Sequence, residues 1–312
     1  MAEIVVVGQV ARDLVLKVEE IPDEGGSTEV LERLELLGGA ANQAVGARQL
    51  GWSSALVGVV GDDGAGRAVL ASAREDGLDV TGVGVRAGGT TALYVDVVES
   101  GGVRRLLEHV PEDVLLTPAD VRAAEPVLSA ARAVLVELRQ PGDAVRDAMG
   151  AAARGGALVL VDGHPEDSRV RDAVLSSATV VRADDAEAAA LAGRELDDVR
   201  DAVAAARDLV SRGPAIVALA VGSEGNVVAW DGGHAVLPLL GGAPVDPTGG
   251  GDAFVVGLVT ALLRGADPET AGWEASAAAA LTVGRLGGRP ELDADRVAAV
   301  AQAGRREAAR PS

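Results

Sequence analysis

The sequence has no cysteine and few aromatic or histidine residues. Its 312 residues include three tryptophans, one tyrosine, one phenylalanine and three histidines. Without cysteine the chain cannot form disulfides, thiolate metal sites or a thiol nucleophile. So few aromatic side chains cannot build the stacking platforms that bind single-stranded nucleic acid or a long glycan. The composition therefore favours a small-molecule ligand.

Basic residues are also scarce. The chain has 28 lysines and arginines against 47 acidic residues, a net charge of −19, which argues against binding to nucleic acid or an anionic membrane. The most apolar helical stretch, Ala253 to Leu263, is far shorter than the roughly 20 residues that cross a bilayer. The start of the chain lacks a basic region followed by an apolar one, so we expect no secretory signal and a cytoplasmic location.

Short β-branched runs alternate with alanine-rich helical runs, which predicts a parallel sheet covered by helices. We expect core strands at Ile4 to Val7, Ser54 to Val60, Ala133 to Leu138, Ala157 to Val161, Thr179 to Arg182 and Ile216 to Val221. We expect helices near Ala41 to Leu50, Ala65 to Asp76, Asp143 to Ala153, Asp185 to Ala192 and Val199 to Arg212, with mostly helix after Ala253.

Two regions, about 11–37 and 89–110, break this alternation. Turn residues such as Pro22, Gly88 and Pro111 separate them from the strand–helix body, and both are typical of antiparallel hairpins. We expect them to form one small sheet that stands off the body as a lid, within a single α/β domain over residues 1–312.

The most informative motif is a glycine-rich turn, Asp246-Pro247-Thr248-Gly249-Gly250-Gly251-Asp252, followed by an apolar helix. Glycines at a helix N-terminus let backbone N–H groups converge on an anion, and the helix dipole adds positive potential. A carboxylate beside such a turn suggests phosphoryl transfer, with Asp252 accepting the proton of an attacking hydroxyl. Taken alone, a Gly-Asp pair at a helix start is more often a simple turn.

Three further motifs accompany this turn in order along the chain. They are Gly38-Gly39-Ala40-Ala41-Asn42-Gln43-Ala44, the glycine-rich run at 58–66, and Ala220-Val221-Gly222-Ser223-Glu224-Gly225. With these motifs the chain resembles the PfkB carbohydrate kinases, a ribokinase-like family, over nearly its whole length. The resemblance implies a three-layer α/β/α sandwich with a mostly parallel central sheet and a small β-sheet lid. It also implies transfer of the γ-phosphate of ATP, with Mg²⁺, to a hydroxyl of a small sugar or sugar derivative.

The resemblance also implies roles for particular residues. Asp252 would be the catalytic base, and Gly249, Gly250 and Gly251 would form the anion hole. Asp13, Gly39 and Asn42 would hold the sugar. The alternatives are that Asp13 only ends a strand and that Asn42 only caps a helix.

Residues for the nucleotide and for metal ions follow from the same resemblance. Asp184-Asp185-Ala186-Glu187 is similar to the family's Asn-x-x-Glu motif, so Glu187 would hold Mg²⁺ through water. Asp184 replaces the asparagine and only accepts hydrogen bonds when ionised, and it could equally cap the following helix. Gly222, Ser223, Gly225 and Ser276 would contact ATP. Asp246 would bind K⁺ or another monovalent cation, or else only end the preceding strand.

The substrate pocket departs from that of ribokinases at three positions. Ala11 stands where they have asparagine, the lysine after their glycine pair has no counterpart here, and Arg139 stands roughly where they have a glutamate that binds the sugar. Since an unpartnered buried hydroxyl costs about 1–3 kcal/mol, this argues against ribose bound in the ribokinase manner. Arg139 predicts a carboxylate or phosphate on the substrate, unless it is an ordinary surface arginine.

Several alternatives stay open at this stage. The acceptor could be a neutral sugar, a sugar acid, a sugar phosphate or a nucleoside, and the chain could be a non-catalytic sensor on a kinase fold. A dinucleotide-binding protein is disfavoured because the first strand is not followed by Gly-x-Gly-x-x-Gly. In ribokinase-like proteins such lids often pair between subunits, so the resemblance implies a homodimer.

Overall fold

The computed structural model describes residues 1–165 and 167–309. In these residues the strands are β1 Ile4–Val7, β2 Val10–Val18, β3 Val30–Gly39, β4 Ser54–Gly61, β5 Asp79–Arg86, β6 Ala92–Glu99, β7 Arg104–His109, β8 Ala133–Glu137, β9 Leu158–Asp162, β10 Val180–Ala183, β11 Ile216–Ala220, β12 Asn226–Trp230 and β13 Gly233–Leu237. The α-helices are α1 Ala41–Gln49, α2 Gly64–Glu75, α3 Pro118–Ala123, α4 Glu125–Leu128, α5 Gly142–Arg154, α6 Ser168–Ser177, α7 Asp185–Ala192, α8 Val199–Ser211, α9 Gly250–Leu263, α10 Pro268–Val283 and α11 Ala294–Ala308.

The larger sheet is mostly parallel, as the alternating pattern predicts. Its strand order in the described residues is β13-β12-β11-β10-β9-β8-β1-β4-β5. The strands from β11 to β5 in this order all pair in parallel, and the β12–β13 hairpin adds antiparallel strands at one edge. Strands such as β1, with the sequence Ile-Val-Val-Val, are buried along their whole length because both faces of the sheet are covered.

Helices cover both faces of this sheet, so the fold has three layers. Val5 and Val7 point into a core that they share with helices α3 to α8. Ile4 and Val6 point into a second core on the opposite face, which contains residues of α1, α2, α9, α10 and α11. This alternation along one strand confirms the predicted α/β/α sandwich.

The small sheet is built from the two regions that break the alternating pattern, and its order is β3-β2-β6-β7. The pairs β2–β3 and β6–β7 are antiparallel hairpins, as expected from their turn residues. The two hairpins join through a parallel pairing of β2 with β6. Strand β2 begins only a short turn after β1, which places the small sheet beside the carboxyl end of the parallel strands.

Three strands were not predicted from the sequence: β5, β12 and β13. Strand β5 contains Gly82 and Gly84, which weaken a strand pattern, yet a Cβ at Gly82 would lie 2.8 Å from the carbonyl oxygen of Leu56. Close approach of β5 to β4 therefore explains that glycine. Among the described residues, none of the helices has the length and apolar character needed to cross a bilayer.

The helices α9 and α10 approach closely at Gly257. A Cβ built there would lie 2.7 Å from the Cα of Ala275 and 3.0 Å from the carbonyl oxygen of Glu274. Both contacts are to backbone atoms, which cannot rotate away. Gly257 therefore sets the distance between the helix that carries Asp252 and its neighbour.

We expect Gly257→Ala to lower the free energy of unfolding by about 1–3 kcal/mol, because the added methyl group overpacks this contact. Gly150→Ala, in the middle of α5, is the matched control. Its Cβ would meet only the flexible end of Arg154, at 3.4 Å. Alanine's helix propensity should raise stability there by up to about 1 kcal/mol. Urea unfolding measures both changes, and stabilisation by both substitutions would contradict the proposed close packing.

Candidate active site

Charged side chains end three neighbouring strands of the large sheet. Glu137 is the last residue of β8, Asp162 is the last residue of β9, and Arg182 is the next-to-last residue of β10. The carboxyl ends of adjacent parallel strands meet at one edge, where α/β proteins bind their ligands. These three residues are not among the site residues predicted from the sequence. A charged residue at the end of a buried strand was a signal that could have identified them.

Asp252 lies in the first turn of α9 and faces α1. Its Oδ1 accepts a hydrogen bond from Nε2 of Gln43 at 3.0 Å, and its Oδ2 accepts one from Nδ2 of Asn42 at 3.4 Å. The same Nε2 of Gln43 donates to Oδ2 of Asp162 at 3.1 Å. One amide group therefore holds two carboxylates together, and Arg182 binds the far side of Asp162 at 2.9 Å.

The environment of Asp252 makes it a weaker acid. Burial, and then the nearby charge of Asp162, raise the pKa of Asp252 to about 6 against the hydrogen bonds from Gln43 and Asn42, which lower it. The carboxylate is still ionised at neutral pH. It is also more basic than an ordinary aspartate, as a general base should be.

The glycine turn leaves amide groups unsatisfied. Gly249 has φ of 72°, and a Cβ there would lie 1.8 Å from the carbonyl oxygen of Gly288, so only glycine fits. Gly250 donates to the carbonyl of Pro247 at 3.4 Å. Within the described residues, the N–H groups of Gly249, Gly251 and Asp252 donate to no protein acceptor. The free N–H groups thus include that of Asp252, whereas the N–H group of Gly250 is bonded to Pro247.

Asp246 holds this turn in place through hydrogen bonds. It is fully buried, its Oδ1 accepts hydrogen bonds from the backbone N–H and hydroxyl of Thr248, and its Oδ2 accepts one from the N–H of Gly287 at 2.8 Å. These contacts tie the glycine turn to the loop after α10. Asp246 therefore has a structural role whatever else it binds.

A polar hollow of about 590 Å³ opens in front of Asp252, between the sheet edge and the small sheet. It brings together most of the residues predicted from the sequence: Asp13, Gly39, Asn42, Arg139, Asp184, Gly249, Gly251 and Asp252. It also includes polar residues that the sequence analysis missed: Gln9, Tyr94, Asp96, Arg104, Glu108, Glu137, Gln140, Asp162 and Arg182.

Asp13 is almost completely buried at the small-sheet end of this hollow. Its Oδ1 has no hydrogen-bond partner, which is costly unless a ligand supplies one. Burial, and then the nearby Asp96, raise the pKa of Asp13 to about 7. Asp96 itself is paired with Arg104 across β6 and β7. A charged residue within the otherwise apolar run of β6 was the sequence signal for Asp96.

Glu137 also lines the polar hollow. Its Oε2 accepts a hydrogen bond from the N–H of Gln9 at 2.9 Å. Burial, and then the charge of Asp252, raise the pKa of Glu137 to about 8. At neutral pH Glu137 is therefore mostly protonated, and its carboxyl group can donate a hydrogen bond as well as accept one.

An apolar hollow of about 250 Å³ lies on the other side of the glycine turn. Ser276 lines it and is buried, and its hydroxyl has no hydrogen-bond partner. The two hollows share Arg182, Pro247 and Gly251. Gly250 also lines the apolar hollow.

The predicted nucleotide loop lies outside both hollows. Gly222, Ser223 and Gly225 line neither of them, whereas the adjacent Asn226 lines the apolar one. The N–H of Gly222 instead donates to Oδ1 of Asp185 at 2.7 Å. The loop is therefore docked on the start of α7.

Asp184 and Glu187 form a capping box at the start of α7, as one of the alternatives from the sequence predicts. Oδ1 of Asp184 accepts from the N–H of Glu187 at 2.9 Å, and Oε2 of Glu187 accepts from the N–H of Asp184 at 2.8 Å. One oxygen of each carboxylate remains without such a bond. In the part of the chain that the structure describes, no three acidic or histidine side chains are grouped closely enough to bind a metal ion.

Known proteins resemble this chain in sequence and in structure. The profile of the pfkB family carbohydrate kinases matches residues 1–295. An ATP-dependent ribose-1-phosphate kinase of Halopiger xanaduensis is 31% identical over 96% of this chain and 98% of its own length. A bifunctional ribokinase/ribose-5-phosphate isomerase A of Fructilactobacillus sanfranciscensis is 26% identical over 84% of this chain, which spans about half (49%) of that relative.

Solved structures agree with the fold. The structure of Arabidopsis thaliana ribokinase complexed with ribose and ATP superposes with a TM-score of 0.78, at 23% identity, over 96% of this chain and 99% of that one. The three layers and the small sheet of this chain therefore share the fold of that structure. The chain belongs to the pfkB family of carbohydrate kinases.

Proposed function

We propose that this protein transfers the γ-phosphate of ATP to a hydroxyl of a small sugar or sugar derivative in the polar hollow. Membership of the family makes it a phosphotransferase with an alcohol acceptor. The observation that carries the finer proposal is the juxtaposition of Asp252 with the free N–H groups of Gly249, Gly251 and Asp252 itself. A base and an anion site then lie at the junction of two hollows.

In this mechanism Asp252 accepts the proton of the attacking hydroxyl. Gln43 and Asn42 orient the carboxylate, and the free amides of the glycine turn stabilise charge on the transferring phosphoryl group. Asp13, Gly39 and Asn42 hold the acceptor. The unpartnered Oδ1 of Asp13 supports this role, because an acceptor hydroxyl would satisfy it.

The apolar hollow is the proposed site of the nucleotide base. Its apolar lining would bury the base, and the unpartnered hydroxyl of Ser276 would bond to it. The phosphate chain would then pass Arg182, whose guanidinium lies against Gly251. The nucleotide would meet the loop of Gly222, Ser223 and Gly225 only at the edge of this hollow. Asn226, the residue after Gly225, lines that edge.

Mg²⁺ fits the remaining oxygens of Asp184 and Glu187. Magnesium keeps several water ligands and usually takes one or two carboxylates together with substrate phosphates, so a preformed cage of three side chains is not required. Bound there, the ion would neutralise charge on the phosphates. For K⁺, Oδ1 of Asp246 already accepts two hydrogen bonds, so a cation would have to share Oδ2 with the N–H of Gly287.

The small sheet is the proposed lid. It supplies Asp13, Asp96, Arg104 and Glu108 to the polar hollow, so its closure would exclude water from the reacting phosphate. The described residues, 1–165 and 167–309, would then act as a single domain with lid segments at about 11–37 and 89–110. Positions 166 and 310–312 of the predicted domain lie outside the described residues.

Among possible acceptors, a sugar phosphate is the substrate that the name of the Halopiger relative gives. Tyr94 is the one aromatic residue that lines the polar hollow, which offers little stacking for a nucleoside.

Asp252→Asn should lower the rate of ADP release by about 10²–10⁴-fold, because the amide cannot accept the hydroxyl proton. The rate would be measured over pentoses, hexoses, sugar acids, sugar phosphates and nucleosides. Asp295→Asn is the matched control, since Asp295 also lies in the first turn of a helix but is exposed. Activity that survives in Asp252→Asn would show that another group accepts the proton.

The fall of kcat/KM at acidic pH should reflect the protonation of Asp252. Because its pKa is raised to about 6, kcat/KM should fall as the pH drops below about 6 and Asp252 becomes protonated. Asp162→Asn removes a nearby negative charge, so this fall should move to lower pH. A fall at the same pH in both proteins would assign it to a different group.

Exposed leucines on the outer strands of the small sheet support a homodimer. Leu31 on β3 and Leu107 on β7 are 54% and 59% exposed. Light scattering should give a dimeric mass for the natural chain and a monomeric mass for the double variant Leu31→Asp, Leu107→Asp. Val236→Asp, at the edge of the large sheet, is the control. A double variant that stays dimeric would place the interface elsewhere.

A further inference from the structure

Arg139 and Glu108 form an ion pair across the mouth of the polar hollow. Arg139 follows β8 in the body, and Glu108 lies on β7 of the small sheet. Nη2 of Arg139 donates to both carboxylate oxygens, at 2.8 and 2.9 Å. Both residues line the hollow, so the pair links the proposed lid to the body at the entrance used by the acceptor.

This pair is the most exchangeable of the three arginine pairs in the hollow. Arg104 is held by Asp96 and Arg182 by Asp162, whose side chains are only 1% and 13% exposed. The side chains of Arg139 and Glu108 are 59% and 31% exposed, and such exposed ion pairs add little to stability. Replacing Glu108 with another anion therefore costs little.

The guanidinium of Arg139 also has unused donors. Within the described residues, only Nη2 donates a hydrogen bond, so Nε and Nη1 are available. An arginine binds a phosphate or carboxylate best through two parallel N–H groups, which Glu108 does not use here. A ligand with an anionic group could bind Arg139 better than Glu108 does.

The inner wall of the hollow does not oppose such a ligand as strongly as its number of acidic residues suggests. Burial raises the pKa of Glu137 to about 8 and that of Asp13 to about 7, so near neutral pH the first is mostly protonated and the second is partly so. Asp96 is neutralised by Arg104. Asp252 lies at the reacting end, where the acceptor presents its hydroxyl rather than its charge.

We propose that Glu108 occupies the place of an anionic group on the acceptor, and that the true acceptor carries a phosphate or carboxylate that displaces Glu108 and binds Arg139. This inference rests on the proposed function, since it names the class of acceptor for the same site. Arg139 is then a specificity residue, as its position in the sequence suggests. Glu108 is a competing side chain that disfavours neutral acceptors.

The kinetic test compares neutral sugars with sugar phosphates and sugar acids in the full-length enzyme. Arg139→Gln should raise KM for anionic acceptors by about tenfold or more, equivalent to at least about 1.4 kcal/mol, without changing KM for ATP. Glu108→Gln should lower KM for anionic acceptors severalfold. Glu35→Gln is the control, since Glu35 lies on β3 of the same small sheet but outside the hollow. This substitution should change neither KM for anionic acceptors nor KM for ATP. The relative effects on phosphates and carboxylates would show which anion the site takes.

A second measurement does not require a substrate to be found. With ADP and Mg²⁺ saturating, inorganic phosphate should raise Tm most in Glu108→Gln, less in the natural chain and least in Arg139→Gln. Equal Tm shifts in all three proteins would overturn the proposal. It would also be overturned if a neutral sugar were the preferred acceptor and Arg139→Gln affected neutral and anionic acceptors equally. A graded phosphate response with no ADP release on any acceptor would support the anion site and contradict the proposed function instead.

Discussion

The site depends on one amide that holds two carboxylates of like charge. Asp162 ends a strand and Asp252 begins a helix, and Nε2 of Gln43 donates to both, at 3.1 and 3.0 Å. Arg182 compensates the charge of Asp162. Without these contacts, two ionised carboxylates in a partly buried site would repel each other and one would take up a proton. Gln43 thus helps to keep Asp252 ionised, whereas burial and the charge of Asp162 make Asp252 more basic than an aspartate in water.

The glycine turn supplies the other half of the arrangement through backbone shape rather than side-chain chemistry. Gly249 packs against the carbonyl of Gly288 with no space for a Cβ, and Asp246 ties the turn to Gly287. Because the loop after α10 fixes the turn from behind, its amides face the hollow in front. The spacing of α9 from α10 at Gly257 then matters for the site as well as for stability.

The sequence predicted the layers of the fold well because buried parallel strands are continuous apolar runs that stand out between alanine-rich helices. It also predicted Asp252, Asp13 and Asn42, which lie in local motifs. It missed Glu137, Asp162 and Arg182, because which strands are neighbours is decided by contacts between distant parts of the chain. The pairs Arg139–Glu108 and Arg104–Asp96 depend likewise on how the small sheet docks. The predicted loop at Gly222 was placed by motif alone, and its contact with Asp185 could not be read from spacing.

The two hollows meet only where Arg182, Pro247 and Gly251 line both, which limits how a reaction between their ligands could proceed. A phosphate chain that starts in the apolar hollow reaches the free amides before it reaches Asp252. An acceptor in the polar hollow reaches Asp252 from the opposite side. In the proposed reaction, transfer in a line between the two ligands would require no large movement of the body, only closure of the small sheet over the acceptor. The charges of that sheet, Glu108 above all, would then decide which acceptor allows it to close.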